Sequence, residues 1–220
     1  RHTLFPYTTL FRSPIDTTDS SEMLKFMLES SKAQIVILDY RYFEKFNEIK
    51  DQLSNLKKVI IQDAPDDFEF DDFYISFKEI DTANTSNPDR IVKDVHKMQI
   101  NFTSGTTGKP KGFIKRNYYV FICFNVGKVW KDFGFKESQT VHCPIPLYHN
   151  VHQILVVLPA LISNGSIFIT EKFNPESFWE KMEKNDVSGL IYFRKNLLDL
   201  LNQTPNEKDR DHPVKWAFGM

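Results

Sequence analysis

Residues 102–112 read Phe102-Thr103-Ser104-Gly105-Thr106-Thr107-Gly108-Lys109-Pro110-Lys111-Gly112. These eleven residues hold three glycines, four hydroxyl side chains, two lysines and one proline, and an apolar run leads into them. Glycine lets successive backbone N–H groups turn inward, and such concave nests bind anions. The hydroxyls add donors, and Lys109 and Lys111 add positive charge at the exit. Read residue by residue, this is a loop that cradles phosphates; a polar Gly/Thr hairpin turn is the plainer alternative.

The phosphate loop to test first is the Walker A pattern, G-x-x-x-x-G-K-[ST]. It fails twice: Thr103 stands where the first glycine belongs, and Pro110 where a Ser or Thr must hold the metal. The stretch instead resembles the signature of the adenylate-forming superfamily, which includes acyl-CoA synthetases, luciferases and peptide-synthetase adenylation domains. That pattern runs aromatic-Thr-Ser-Gly-Thr-Thr-Gly-x-Pro-Lys-Gly, and every fixed position is met.

Composition bounds the remainder. The chain has 220 residues, 41% of them hydrophobic, enough for a sizeable core rather than a disordered chain. With 28 basic against 29 acidic residues the net charge is −1, which leaves no electrostatic footprint for nucleic acid. The two cysteines make no disulfide framework, and with no export signal a reducing, cytoplasmic setting is expected. Arg1 to Ser13 show no helical period, strand alternation or signal-peptide layout. Thr3 to Ser13 resemble a translated sequencing adapter, so residues 1–13 are expected to be a non-native tail, with a native arm or targeting peptide as the alternative. No initiator Met is present, and the expectation is a fragment.

Along the chain, Asp19-Ser20-Ser21-Glu22 offers capping residues for a helix from about Ser20 to Ser31. Gln34 to Asp39 follows as a buried strand. Tyr42 to Leu56 repeats the helical period, and Lys58 to Gln62 is the next strand. This alternation argues for βαβ units and a parallel sheet. Asp63 to Asp72 is an acidic surface loop, without EF-hand spacing. His96 to Phe102 reads as a strand delivering the phosphate loop, and Gly112 to Arg116 as an extended segment beyond it. Asn117 then caps a helix over Tyr118 to Asp132, with Val120, Phe121, Phe124 and Trp130 expected in the core. Gln139 to Pro146 is a strand. Val151 to Ile162 is apolar but interrupted by Pro159, and it falls short of the ~20 residues that span a bilayer. Gly165 to Thr170 is another strand. Asn174-Pro175-Glu176 opens a helix that buries Phe178, Trp179 and Met182. Val187 to Phe193 is a strand, Leu197, Leu198 and Leu201 line a further helix, and Val214 to Phe218 is the last strand.

The resemblance extends from about Met23 to Met220, over the family's large N-terminal domain. It implies an α/β fold with mostly parallel sheets flanked by helices. Residues 14–220 would then be an incomplete N-terminal AMP-binding domain, with the C-terminal domain absent. Pro146-Leu147-Tyr148-His149 resembles the next family motif, whose histidine lies beside the acyl site; His152 stands where relatives often carry glycine. Lys172 to Trp179, Asn185-Asp186-Val187 and Asp209 to His212 resemble the branch holding fatty-acid transport proteins and carnitine-CoA ligases. Arg194-Lys195 stands near where the transport proteins usually carry Gly-Glu, so no substrate is carried over from that branch. His142, Cys143, His149 and His152 also invite a zinc reading, but lack standard structural-zinc spacing.

What the resemblance implies is a two-step ligase that uses ATP, Mg2+ and coenzyme A. A carboxylic acid, expected to be a fatty acid, becomes an acyl-adenylate, and a thiol then takes the acyl group. Thr103, Ser104, Gly105, Thr106, Thr107 and Gly108 would hold the phosphates, with Lys111 adding a point charge. Thr103 would approach the magnesium ion, and His149 would serve the acyl site. Lys109, at the variable position, reads as a solvated surface charge. Peripheral membrane contact is compatible with this reading. The alternatives are a peptide-synthetase adenylation module and a non-catalytic binder of ATP or acyl ligand. The fragment alone is expected to be inactive, because the family's later motifs and catalytic lysine lie beyond Met220.

Overall fold

The computed structural model describes residues 12–16, 19–82, 86, 91–103, 109–132, 134–136, 138–205 and 210–219. The chain divides into two compact units, Arg1–Asn117 and Tyr118–Met220.

In the first unit, α1 (Ser21–Ser31) starts where the capping residues predict: the Ser20 hydroxyl accepts from the Met23 N–H at 3.3 Å. It stops at Lys32, whose left-handed backbone (φ 53°) returns its N–H to the last carbonyls. Strands β1 (Ile35–Asp39), β2 (Lys58–Gln62) and β3 (Tyr74–Ser76) form a parallel sheet in that order. Phe46, Ile49, Leu53, Val59 and Ile61 build the core with Leu28 and Leu38. Burial of side chains of this size stabilises by about 1.5–3 kcal/mol each.

Two expectations are corrected here. The segment 42–56 is not one helix but α2 (Phe43–Asn47) between 3-10 turns at Tyr40–Tyr42 and Lys50–Gln52. Phe43, Phe46 and Ile49 recur every three residues, which is the 3-10 rather than the α period. Strand β1 is buried only in part: Leu38 is inside, whereas Ile35 and Ile37 are 49% and 63% exposed. Strand β3 follows the acidic loop and is held by Asp71, whose Oδ1 accepts from the Phe73 and Tyr74 N–H groups at 2.7 and 2.6 Å. Strands β4 (Lys97–Thr103) and β5 (Lys111–Arg116) complete the unit as an antiparallel hairpin.

The second unit is a parallel four-stranded sheet ordered β7-β6-β8-β9, made of β6 (Thr140–His142), β7 (Ser166–Phe168), β8 (Val187–Tyr192) and β9 (Trp216–Gly219). Helix α3 (Tyr119–Asp132) buries Cys123, Gly127 and Trp130; the expected core residues Val120, Phe121 and Phe124 are exposed. Next come α4 (Asn150–His152), a π turn at Gln153–Val157 and α5 (Leu158–Ile162). Helix α6 (Phe178–Lys184) buries Phe178 and Met182 as expected, whereas Trp179 is only half-buried. The Asn174 carboxamide accepts from the Glu176 and Ser177 N–H groups, but regular helix begins only at Phe178. Helix α7 (Arg194–Leu201) leaves Leu197, Leu198 and Leu201 exposed. No helix among the described residues is long and apolar enough to cross a membrane.

Gly189 pairs with Trp216 across β8 and β9, and a Cβ there would lie 2.2 Å from the indole. Trp216 is hemmed in by Trp130 and Phe135, with ring centroids at 5.5 and 6.3 Å. Gly189→Ala is therefore expected to destabilise the unit by about 1–3 kcal/mol. The measurement is the urea midpoint followed by tryptophan fluorescence; an unchanged midpoint would show that the indole swings clear.

Candidate functional site

The signature stretch is delivered by the β4–β5 hairpin. Its register pairs Gln99 with Lys115, Ile100 with Ile114, Asn101 with Phe113, Phe102 with Gly112 and Thr103 with Lys111. One face is buried yet polar: Gln99, Asn101 and Lys115 are all shielded from solvent. The Gln99 amide donates to the Asn101 carboxamide at 2.6 Å and accepts from Arg12 Nε at 3.3 Å. Arg12 also bridges β4 through its backbone, with its N–H on the Met98 carbonyl and its carbonyl taking the Ile100 N–H. The Ser13 hydroxyl donates to the Ile100 carbonyl at 3.1 Å. These two residues fall within the segment read from sequence as non-native. Burial pushes the Arg12 guanidinium below its ordinary pKa.

At the open end, Thr103 and Lys111 are the last pair of the ladder, and the Thr103 hydroxyl lies 3.4 Å from the Lys111 carbonyl. Both side chains face solvent. Ser104, Gly105, Thr106, Thr107 and Gly108 lie outside the described residues. Lys109 is exposed, as its place in the motif predicts, but its ammonium also sits over the Phe26 ring of α1, 5.7 Å from the centroid. Of the candidate phosphate residues, the structure thus brings Thr103 and Lys111 together. His149 belongs to the second unit and is described there by itself.

His149 is exposed and caps α4: its Nδ1 accepts the Val151 N–H at 3.2 Å, so the neutral ring carries its proton on Nε2. The ring stands edge-on to Phe193, centroids 6.0 Å apart. The neighbouring histidines are internal. His142 is buried against Phe168 and Phe178, and its Nδ1 is 2.9 Å from the Phe168 carbonyl. Burial pulls its pKa down to about 4, with His152 and Lys181 adding to the drop and the Phe168 carbonyl opposing it. His152 is buried and hydrogen-bonds the Ile145 carbonyl through Nδ1; burial lowers its pKa as well. Burial pushes the Cys143 thiol up to about 11, so it is a protonated and poorly nucleophilic group at neutral pH. No group of three or more His, Cys, Asp or Glu able to hold a metal occurs among the described residues.

Sequence reasoning raised His142 and His152 as metal ligands, and His152 also as a residue in the place of a glycine, and missed their service to backbone carbonyls. The Pro144-Ile145-Pro146 run was the available signal for His152, because prolines remove backbone donors and leave carbonyls that must find other partners. Nothing local to His142 points to Phe168, 26 residues away.

A family model described as AMP-binding enzyme matches residues 8–219. The chain is 29% identical over 118 residues to long-chain fatty acid transport protein 3 of Mus musculus, covering 54% of this chain and 17% of that protein. It is also 29% identical over 120 residues to the medium/long-chain-fatty-acid–CoA ligase FadD6 of Mycobacterium tuberculosis, covering 54% of this chain and 20% of that one. The chain therefore spans a fifth or less of the length of these two relatives. Among solved structures, the anthranilate CoA ligase AuaEII in complex with anthranoyl-AMP superposes with a TM-score of 0.81 at 14% identity, covering 95% of this chain and 40% of that one.

The His142 pKa implies an acid limit on stability. The folded value, about 4, lies below the ordinary 6.5. The contribution is therefore complete above the unfolded value and is lost as pH falls through the interval between the two. At about pH 5 the loss from this one group is about 2 kcal/mol, and His152 is shifted in the same direction. The urea midpoint should drop between about pH 7.5 and about pH 5, and His142→Gln should flatten that dependence. Equal slopes in the two proteins would refute the assignment.

Proposed function

The chain belongs to the AMP-binding enzyme family, and from that membership we propose that it is the ATP-handling part of an acyl-CoA synthetase acting on a fatty acid. The observation that carries this reading is the complete 102–112 signature at the turn of a hairpin closed by Thr103 and Lys111. The two curated relatives, one named a fatty acid transport protein and the other a fatty-acid–CoA ligase, support the substrate class. The adenylate named in the AuaEII complex supports the acyl-adenylate step.

In the first step a carboxylate oxygen bonds to the α-phosphorus of ATP as the bond to pyrophosphate breaks. In the second the coenzyme A sulfur bonds to the acyl carbon and AMP leaves. The protein's part in such chemistry is to orient the phosphates and offset their charge. Residues 103–108 would supply hydroxyl and N–H donors to the β- and γ-phosphates, with Lys111 adding a positive charge beside them. Lys109 sits near the exit of the loop, over Phe26.

The solvent-facing Thr103 hydroxyl fits a magnesium ion that ATP already carries. One neutral oxygen beside two lysines would not hold that ion without the phosphates. Magnesium would supply charge neutralisation to the phosphate oxygens. His149, with its proton on Nε2, would present a donor at the acyl site. The reading places the protein in the cytoplasm, where both cysteines remain buried thiols. It treats residues 14–220 as one part of a longer enzyme, so the chain by itself should bind ATP without releasing pyrophosphate.

Titration calorimetry of the 220-residue chain with magnesium ATP tests the loop assignment. Lys111→Ala removes a charged donor and should weaken binding by about 10- to 100-fold. Thr106→Ala removes a neutral hydroxyl and should weaken it by about 2- to 10-fold. Unchanged affinity in both variants would overturn the assignment.

A further inference from the structure

His149 projects from a segment that is short of its own donors. Pro144 and Pro146 have no N–H, so much of what can pin residues 144–148 is a row of carbonyls. Three successive carbonyls are each taken from further along the chain. The Pro146 carbonyl accepts the His149 N–H at 3.0 Å. The Leu147 carbonyl accepts the Gln153 side-chain amide at 2.9 Å. The Ile145 carbonyl accepts Nδ1 of His152. A carbonyl can only accept, so His152 carries its proton on Nδ1, and Nε2 of the neutral ring is a bare lone pair. Nε2 is buried with no hydrogen-bond partner among the described residues. A histidine placed only to fill space would be a poor choice, because a bare buried acceptor is costly and an apolar side chain avoids it. The bond to Ile145 is what the imidazole contributes.

We propose that His152 is a positioning residue for His149: together with Gln153 it clamps the Ile145 and Leu147 carbonyls and fixes the backbone from which His149 projects. The two rings then hold opposite tautomers three residues apart. His152 carries its proton on Nδ1, whereas His149 keeps Nδ1 bare for the Val151 N–H and carries its proton on Nε2. The clamp bears on catalysis through the proposed role of His149 at the acyl site, but local structure tests it without ATP or turnover.

The test is nitrogen-15 NMR of the histidine rings in the 220-residue chain, with hydrogen exchange at the Val151 amide. The unaltered chain should show His152 protonated on Nδ1 and His149 on Nε2. His152→Leu should lose the clamp and speed Val151 exchange about tenfold or more, as the capping bond opens. His152→Asn sets an amide N–H where the ring held Nδ1–H and should return exchange to within about twofold of the unaltered chain. Unchanged Val151 exchange in a folded His152→Leu protein overturns the proposal, as does a His152 proton found on Nε2. Should His152→Leu fail to fold, the unaltered chain and His152→Asn decide. A proton on Nδ1 with near-native exchange in the Asn variant supports the clamp, and exchange as fast as in a free peptide overturns it. Failure of ATP to bind would count against the loop assignment and leave this result standing.

Discussion

The pairing of Thr103 with Lys111 is the constraint on which the signature stretch depends. A glycine-rich connection has many conformations, and fixing its two ends in a ladder removes the loop-closure part of that freedom before any ligand arrives. What fixes the ends is the register of β4 on β5, and one face of that pair is buried and polar. Gln99, Asn101 and Lys115 are buried, and the Gln99 amide donates to Asn101. A one-residue slip would part Gln99 from Lys115, which stands opposite it across the pair. A buried polar group left without a partner is costly, so the Gln99–Asn101 bond lets this face be buried without that penalty.

The same asymmetry explains what could be read beforehand. The signature was legible because its information is contiguous: eleven residues whose types and spacing state a chemistry together. Strands β2 and β8 were legible as short apolar runs, and the start of α1 as a capping residue before a periodic segment. Helix α3 was legible as a helix but not in its facing. It carries apolar side chains nearly all round, and part of its buried stripe is Gly127, which gives no hydrophobic signal at all. The 42–56 segment failed for a related reason, since a three-residue recurrence over a short span resembles one face of an α-helix until the turns are seen to tighten.

Around His149 the limit on sequence reading is distance. The family motif marks the residue, but its tautomer is set by the Val151 N–H, and its backbone by side chains three and four residues on. His142 owes its depressed pKa first to burial beneath Phe168 and Phe178, which come from a different strand and helix. None of this is a property of residues 142–149 alone. A cluster of histidines and a cysteine reads as metal chemistry in one dimension. In three, two of the rings serve carbonyls and the thiol is buried.

A clamp works only against something that does not move, and the helical run after His149 provides it. Pro159 sits in the first turn of α5, directly after the π turn. The turn before it widens so that the Leu158 N–H reaches the Gln153 carbonyl, five residues back. In a regular α-helix five consecutive residues cannot all face inward, yet Val156 to Ala160 are all buried. The run is therefore enclosed on all sides, and it packs against α3 at Gly127. A Cβ at Gly127 would stand 2.9 Å from the Ser163 hydroxyl, so this close approach depends on glycine. His152 and Gln153 therefore grip the Ile145 and Leu147 carbonyls from the first turns of a body locked at its far end. The position of His149 is in this sense set by residues that lie up to a dozen places beyond it.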